Sequence, residues 1–513
     1  MSKKKFYITT AIDYPSGFPH MGHAYEKICA DVIARWHRLK NEDVFFLTGT
    51  DEHGQKIARC AQRSGKDPKT FVNEMTKQFI ELSKRLNISN DGFIRTTQDR
   101  HIKVVQAIFK KIYENGDIYK GEYQGLYCVD CEAFYTEKGL KDGKCPVHDK
   151  AIDVLKEETY FFKLSEYQKK ILEHIRKNKD FIRPLTRRNE IINRLEEGLR
   201  DLSVSRSNLS LSWGVPLPID ASHVVFVWVD ALLNYMSGLD YPGRNFKRYW
   251  PADIQLIGKD ILWFHSVVWP SILLAAGIEL PRSIVVHGFI NVGGEKLSKS
   301  KGPTIDTLDL IESYGADAIR YFLLREISFG EDGNFSEAAL IGRINSDLAN
   351  DLGNLLQRTL TMVEKFFGTQ VPAPRGLDSE MDKILKSKAK ELAGNLSEMI
   401  ERFNFREALK QIFDLINVAN KYIEDVAPWK LARQESGAEA LSRVIYNLIE
   451  VLRIVAVSIM PFMPQTSKNI LSQIGLNGDA EKHSIAEIEK WGLFKPGIRI
   501  NKGKVLFPRI EAE

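Results

Sequence analysis

Residues 6–12 (FYITTAI) are apolar or β-branched with no charged break, the pattern of a buried strand. A turn follows at Asp13-Tyr14-Pro15-Ser16-Gly17. From Met21 to Leu39, Ala24, Ile28, Val32 and Trp36 recur at i, i+4 spacing, which predicts an amphipathic helix. Val44–Thr48 predicts a second strand, running into Gly49-Thr50-Asp51-Glu52-His53-Gly54. Strand, helix, strand is the opening of a doubly wound parallel α/β domain, whose ligands sit beyond the carboxyl ends of the strands. Strand-like runs return at Val224–Trp228, Ile254–Ile257 and Ser283–Val286.

Between 116 and 220 the pattern changes to turn-rich, cysteine-bearing sequence and then charged helical sequence such as Lys170–Lys179, which reads as an insertion splitting the α/β domain. The two halves of that domain are then 1–115 and 221–292, with a basic loop region at 293–337. From 338 to 513 the pattern is helical. Long amphipathic stretches at Leu340–Phe367, Met381–Phe403 and Ala438–Ile459 predict a bundle, interrupted at Val371–Gly376. The apolar tail Lys504–Ile510 is expected to dock.

Composition narrows the classes. With 43% hydrophobic residues the chain fills large cores, and a net charge of +5 is a balanced surface that accommodates a polyanion without proving one. No run of about 18 apolar residues predicts a membrane span. The N-terminus lacks a signal-peptide pattern, and five cysteines, an odd number, point to a reducing, cytoplasmic setting.

Three motifs carry chemistry. His20-Met21-Gly22-His23 lies between strand and helix, where unpaired backbone N–H groups and the helix dipole attract anions. Gly22 would allow close backbone approach, and the histidines would donate to phosphate or ribose; alone, the turn also reads as a capped helix start. Gly293–Gly302 (GGEKLSKSKG) offers Lys296 and Lys299 to phosphate charge; it lacks Walker order, and alone it reads as a solvated basic turn. Cys128-x2-Cys131 and Cys145-x2-His148 supply four soft or borderline ligands in two close pairs, which suits one structural zinc with no open position.

H-x-G-H after the first strand, together with K-L-S-K-S, resembles the paired signatures of class I aminoacyl-tRNA synthetases. The finer strings resemble the methionyl branch over nearly the whole chain: Phe46–Gly54, Gly198–Arg206, Trp213–Pro216, Val227–Leu232, Gly258–Ile261, Phe264–Ser266 and Trp269-Pro270. The resemblance implies a Rossmann-like catalytic domain with a zinc-bearing insertion and an all-α anticodon-binding bundle. It implies activation of L-methionine with ATP and Mg2+ to methionyl-adenylate, then transfer to tRNA(Met). By similarity the methionine pocket falls on Ile12, Tyr14, Trp228, Ala231, Tyr235, Ile261, His265 and Trp269, with Asp51 on the ammonium. Catalysis falls on Lys299, Lys296, His20 and His23. ATP contacts fall on His20, Gly22, His23, Gly258, Lys259, Asp260 and Lys299, and anticodon contacts on Asn354, Arg358 and Trp429.

The residue chemistry agrees with that assignment. A polarisable thioether suits an aromatic pocket, and donors at Tyr235 and His265 are expected to meet its weak sulfur acceptor. The sequence departs from the family at Ala11 and Asp13, beside the pocket wall. Only one zinc set is present, with His148 where some members have cysteine, and the extension that dimerises some members is absent, so a monomer is expected. The isoleucine, valine and leucine enzymes would need a large editing insertion, and a cysteine enzyme an open zinc. A small nucleotidyltransferase would not need the helical C-terminal part, and a derived RNA-binding protein would show damaged motifs.

Overall fold

The computed structural model describes residues 3–128, 133–135, 140–146, 149–292, 295–296 and 306–511. Its centre is a six-stranded sheet of β1 (Lys5–Thr10), β2 (Asp43–Thr50), β3 (Gly92–Arg95), β4 (Ile182–Arg183), β5 (Ile254–Gly258) and β6 (Ile284–His287). The order is β3-β2-β1-β5-β6-β4, and every neighbouring pair is parallel. Ile8 sits opposite Phe46 on one side and Ile254 on the other. Strand order reverses between β1 and β5, which opens the ligand crevice of such sheets at their carboxyl ends.

The helix after β1, α1 (Met21–Leu39), has the bounds that its apolar spacing predicts. Its stripe of Ala24, Ile28, Val32 and Trp36 is fully buried, but so is much of the opposite face. The sheet covers one side and C-terminal helices the other, so the polar residues of α1 must find partners inside. Glu26 bonds His287 at 2.8 Å, Lys27 pairs with Asp13, and Asp31 meets Arg35 at 2.8 Å and Arg320 at 2.7 Å. The wholly buried Arg320 also donates to the carbonyls of Leu86, Pro461 and Phe462, tying α1 to the helical part.

Two sequence expectations change here. Val224–Trp228 is not one strand: His223–Val225 pairs antiparallel with Ser205–Ser207, and a helix starts at Val227. A short apolar run fits either a strand or a buried helical turn. Within 116–220, Ile118–Cys128, Ala133–Tyr135, Asp153–Phe162 and Leu202–Ser203 do form a separate antiparallel sheet. Ile182–Arg183 leaves that region to extend the central sheet as β4, with Ile182 opposite Ile284. Two residues are too few to carry a period.

After β6 the chain enters a small sheet of Ile290–Val292, Glu295–Lys296 and Gly333–Phe335. Gly288 is required at the crossing, since a Cβ there would stand 2.1 Å from the Glu331 carbonyl oxygen. The C-terminal part is helical: Glu337–Arg343, a π-helical stretch Ile344–Gly353, then Asn354–Phe367, Glu380–Glu401, Phe405–Val426 and Ala438–Ile459. The tail docks through Asn345, whose side chain donates to the Ile510 carbonyl at 2.8 Å and accepts from its N–H at 2.9 Å. Among the described residues no helix is long and apolar enough to cross a membrane.

Candidate active site

The histidine turn caps α1. His20 Nδ1 accepts the Gly22 N–H at 3.2 Å, and His23 Nδ1 accepts the His20 N–H at 3.0 Å, a reciprocal capping box with the rings stacked 3.7 Å apart. With both Nδ1 atoms accepting, the proton of each neutral ring sits on Nε2, as a phosphate-binding imidazole requires. Capping and anion binding are therefore compatible readings of the same turn. Gly22 is needed first by this packing: a Cβ there would stand 3.0 Å from the His20 ring.

Gly258, Lys259 and Asp260 follow at the carboxyl end of β5. A Cβ on Gly258 would meet Asp260 Oδ1 at 2.7 Å and the His287 ring at 3.8 Å, so the ends of β5 and β6 converge on this turn. His287 is buried; burial opposes its protonation, yet the Glu26 carboxylate raises its pKa above the usual histidine value. Lys259 Nζ is held by both Asp332 oxygens at 2.7 Å and lies 4.4 Å from the Phe289 ring centre. Lys296 closes the two-residue strand of the small sheet, whereas Lys299 lies outside the described residues.

Across the crevice, Tyr235, His265 and Trp269 form one buried group. The Tyr235 and Trp269 rings lie 5.9 Å apart, and the Trp269 indole N–H donates to Gln255 Oε1 at 3.1 Å. Trp228 stacks on Phe264 at 3.8 Å, and Ala231 is buried one turn further along the same helix. Ile261 supplies a carbonyl rather than only a wall, accepting from His265 Nδ1 at 3.0 Å. Tyr14 is half-buried and donates to the His53 carbonyl at 2.9 Å, and the Asp51 N–H donates to the Asp13 carbonyl at 2.8 Å. Ile12 packs on a neighbouring cluster around Tyr7 and Leu47. The Asp13 carboxylate is engaged by Lys27 of α1.

The polar groups of this pocket are arranged differently from the sequence expectation. Because a carbonyl faces His265 Nδ1, that nitrogen carries the proton and Nε2 accepts the Tyr235 O–H at 2.7 Å. Burial pushes the His265 imidazole down to about 4, so it is neutral at pH 7. The polar hydrogens of Tyr235 and His265 are thus spent within the protein, and neither points a donor at a thioether.

Behind the pocket lies a cluster that the sequence did not announce. Asp230 is fully buried between His53 Nδ1 and His101 Nε2, each at 2.7 Å, and His101 Nδ1 bonds Ser237 at 2.7 Å. Burial works against ionisation here, but His53 and His101 hold the Asp230 carboxyl at about 2. His53 and Asp230 stand inside the recognised strings; His101 is a solitary histidine on a helix and gives no signal by itself.

Comparison with known proteins decides the family. Residues 6–152 and 136–360 match the tRNA synthetases class I (M), and residues 371–513 match the anticodon binding domain of methionyl tRNA ligase. The methionine–tRNA ligase of Caldanaerobacter subterraneus subsp. tengcongensis is 49% identical across 100% of this chain and 80% of its own length; that of Clostridium perfringens is 47% identical across 100% and 79%. The chain belongs to the methionyl class I tRNA synthetases. Among solved structures, Mycobacterium tuberculosis methionyl-tRNA synthetase in complex with methionyl-adenylate superposes with a TM-score of 0.94 at 42% identity, covering 99% of this chain and 100% of that one.

As in its family, this synthetase has a parallel sheet followed by a helical anticodon domain. The anticodon candidates fall on both sides of the junction between the two family matches. Asn354 is exposed at the start of its helix, and Arg358 pairs with Glu424 at 3.5 Å. Asn420, on the same helix as Glu424, donates to the Asp351 carbonyl at 3.0 Å. That helix ends at Val426; Ala427 adopts a left-handed conformation (φ 47°), and Trp429 follows at 39% exposure. The three candidates therefore share one corner of the synthetase's bundle.

Of the synthetase's zinc candidates, Cys128 and Cys145 are buried, while Cys131 and His148 lie outside the described residues. Asp142 and Gly143, both at positive φ, turn the chain tightly between Lys141 and Lys144 just before Cys145. The buried thiol of Cys145, directly after this turn, and the buried thiol of Cys128 are donors of the soft type that a zinc knuckle uses.

Proposed function

We propose that this chain is a methionine–tRNA ligase. The methionine carboxylate attacks the α-phosphate of ATP, pyrophosphate leaves, and a ribose hydroxyl at the 3′ end of tRNA(Met) then displaces AMP from methionyl-adenylate. The observation that carries the reading is the assembly of the histidine turn, the Gly258–Asp260 turn and the aromatic group around Tyr235 at the switch point of the parallel sheet, in a chain that matches methionine–tRNA ligases from end to end.

The attacking carboxylate is already ionised, so the protein supplies position and charge rather than a general base. His20 and His23 donate from Nε2 to phosphate or ribose, the α1 N-terminus adds its dipole, and Gly258, Lys259 and Asp260 line the nucleoside side. Lys299, supported by Lys296, neutralises charge developing on the transferring phosphate. Ile12, Tyr14, Trp228, Ala231, Tyr235, Ile261, His265 and Trp269 enclose the side chain, and Asp51 takes the ammonium. Asn354, Arg358 and Trp429 read the anticodon. Mg2+, bound with ATP, supplies further positive charge to the phosphates. Cys128, Cys131, Cys145 and His148 would hold one zinc, which would brace the insertion structurally. A single copy of the chain carries every assigned residue, so the reading requires no partner subunit. The cysteine usage and the role in translation support a cytoplasmic site of action.

Amino-acid-dependent ATP–pyrophosphate exchange tests this reading. Methionine should support exchange, and leucine, isoleucine, valine and cysteine should not; absence of exchange with methionine overturns it. A Lys299→Ala variant should lose exchange while remaining folded. Elemental analysis should find one zinc per chain.

A further inference from the structure

Asp13 is one of the two positions at which the sequence departs from its family, and its carboxylate pairs with Lys27 of α1. Lys27 is fully buried, and Asp13 is 7% exposed. An ammonium at that depth is costly unless a carboxylate meets it, so Lys27 dictates where the Asp13 side chain lies. The two partners are not equally fixed. α1 is also tied by Glu26 to His287 at 2.8 Å and by Asp31 to Arg320 at 2.7 Å. Residues 11–17, in contrast, form no helix or strand beyond an isolated bridge from Asp13 to Thr50. The helix is therefore the anchor, and Asp13 is the residue it places.

That placement reaches the amino acid pocket through the backbone. The Asp13 N–H donates to the Gly49 carbonyl at 2.9 Å, and the Asp13 carbonyl accepts the Asp51 N–H at 2.8 Å. One residue further on, the Glu52 N–H donates to Thr96 Oγ1 at 2.8 Å. The planar peptide groups on either side of Asp51 are thus both held, the first of them by Asp13, and together they set the direction in which the Asp51 side chain leaves the chain.

We propose that Asp13 and Lys27 are positioning residues for the substrate ammonium: the buried pair aims Asp51. The inference rests on the ligase reading above, in which Asp51 takes the ammonium, and adds what holds that carboxylate in place. A buried ion pair is often no more stabilising than apolar side chains of similar volume, so the contribution of this one is register rather than stability.

The test is the double variant Asp13→Leu/Lys27→Met in the full-length protein. It leaves neither charge unpaired and should keep the parent's melting temperature within a few degrees. The KM for methionine in ATP–pyrophosphate exchange should rise about tenfold or more, the scale of a misplaced binding group, while the KM for ATP stays within about twofold because α1 keeps its other ties. Two competitive inhibitors separate loss of aim from general damage. L-Methioninol keeps the ammonium and should lose about tenfold in affinity, whereas γ-(methylthio)butyrate lacks it and should bind within about twofold of its parent value. Asp13→Asn, which keeps an oxygen for Lys27, is the milder second variant and should show the same split at smaller size. An unchanged KM for methionine in the folded variants would overturn the assignment, as would equal losses for the two inhibitors, the mark of a merely structural pair. Failure of the parent protein to exchange with methionine would instead overturn the ligase reading itself.

Discussion

The pocket around Tyr235, proposed for methionine, and the corner around Trp429, proposed for the anticodon, are built in opposite ways. In the pocket the polar groups of Tyr235, His265 and Trp269 are buried and already bonded: Tyr235 to His265, His265 to the Ile261 carbonyl, Trp269 to Gln255, and Asp230 behind them to two histidines. At the corner, Asn354 is exposed, Trp429 is partly so, and Arg358 is held by one ion pair to a largely exposed Glu424. The pocket is preorganised, so its geometry is set by folding. On the proposed reading the corner orders its side chains when RNA arrives, and that ordering costs binding free energy. Changes in the pocket should therefore reach stability and methionine use together, whereas changes at the corner should reach only tRNA.

The strongest way to break this contrast is Asp230→Ala. It leaves two buried histidines without their shared carboxylate and should cost about 3–5 kcal/mol of stability, measured by denaturant unfolding. A cost under 1 kcal/mol would mean that the cluster does not brace the pocket. Next comes pH. His265 titrates near 6.5 when unfolded and at about 4 when folded, so burial of its neutral form stabilises the protein fully above pH 6.5. As pH falls towards 4 the unfolded state takes up the proton first, and on the order of 3 kcal/mol should be lost. Subtracting the pH–stability curve of a His265→Gln variant isolates this contribution.

At the corner, Trp429→Ala should raise the KM for tRNA about tenfold, the loss of one base stack, while leaving methionine-dependent exchange unchanged. Smallest of all, Glu424→Gln releases Arg358 from a solvent-screened pair and should shift stability by less than about 1 kcal/mol. If that change instead lowered exchange, the two regions would be coupled more tightly than their contacts indicate.

How much of this was legible in the sequence depended on the range of the contacts. Local periods worked: α1 and the helix Ala438–Ile459 have the bounds that their apolar spacing predicts. The H-x-G-H string fell on the turn that caps α1, whereas residues 297–300 of the K-L-S-K-S string lie outside the described residues. What stayed hidden was long-range pairing. Asp230 meets His53 and His101 across 177 and 129 positions, and no local pattern encodes that. The direction of the Tyr235 hydroxyl was equally invisible, because it depends on which His265 nitrogen faces the Ile261 carbonyl. Val224–Trp228 misled because a short apolar run does not distinguish a strand end from a helix start.

The closed bond between Tyr235 and His265 has a consequence for translational fidelity. With both of these polar hydrogens engaged, the proposed pocket would distinguish methionine chiefly by volume, shape and polarisability. An unbranched hydrocarbon of the same length, such as norleucine, should pass this filter with only a modest penalty, because an apolar pocket rejects an isostere weakly. Methionine sulfoxide should be refused more firmly, since its oxygen would be stripped of water and neither Tyr235 nor His265 would offer it a donor in return. On that reading the chain would guard the proteome better against oxidised methionine than against a sulfur-free mimic, which comparison of exchange rates with the two compounds checks.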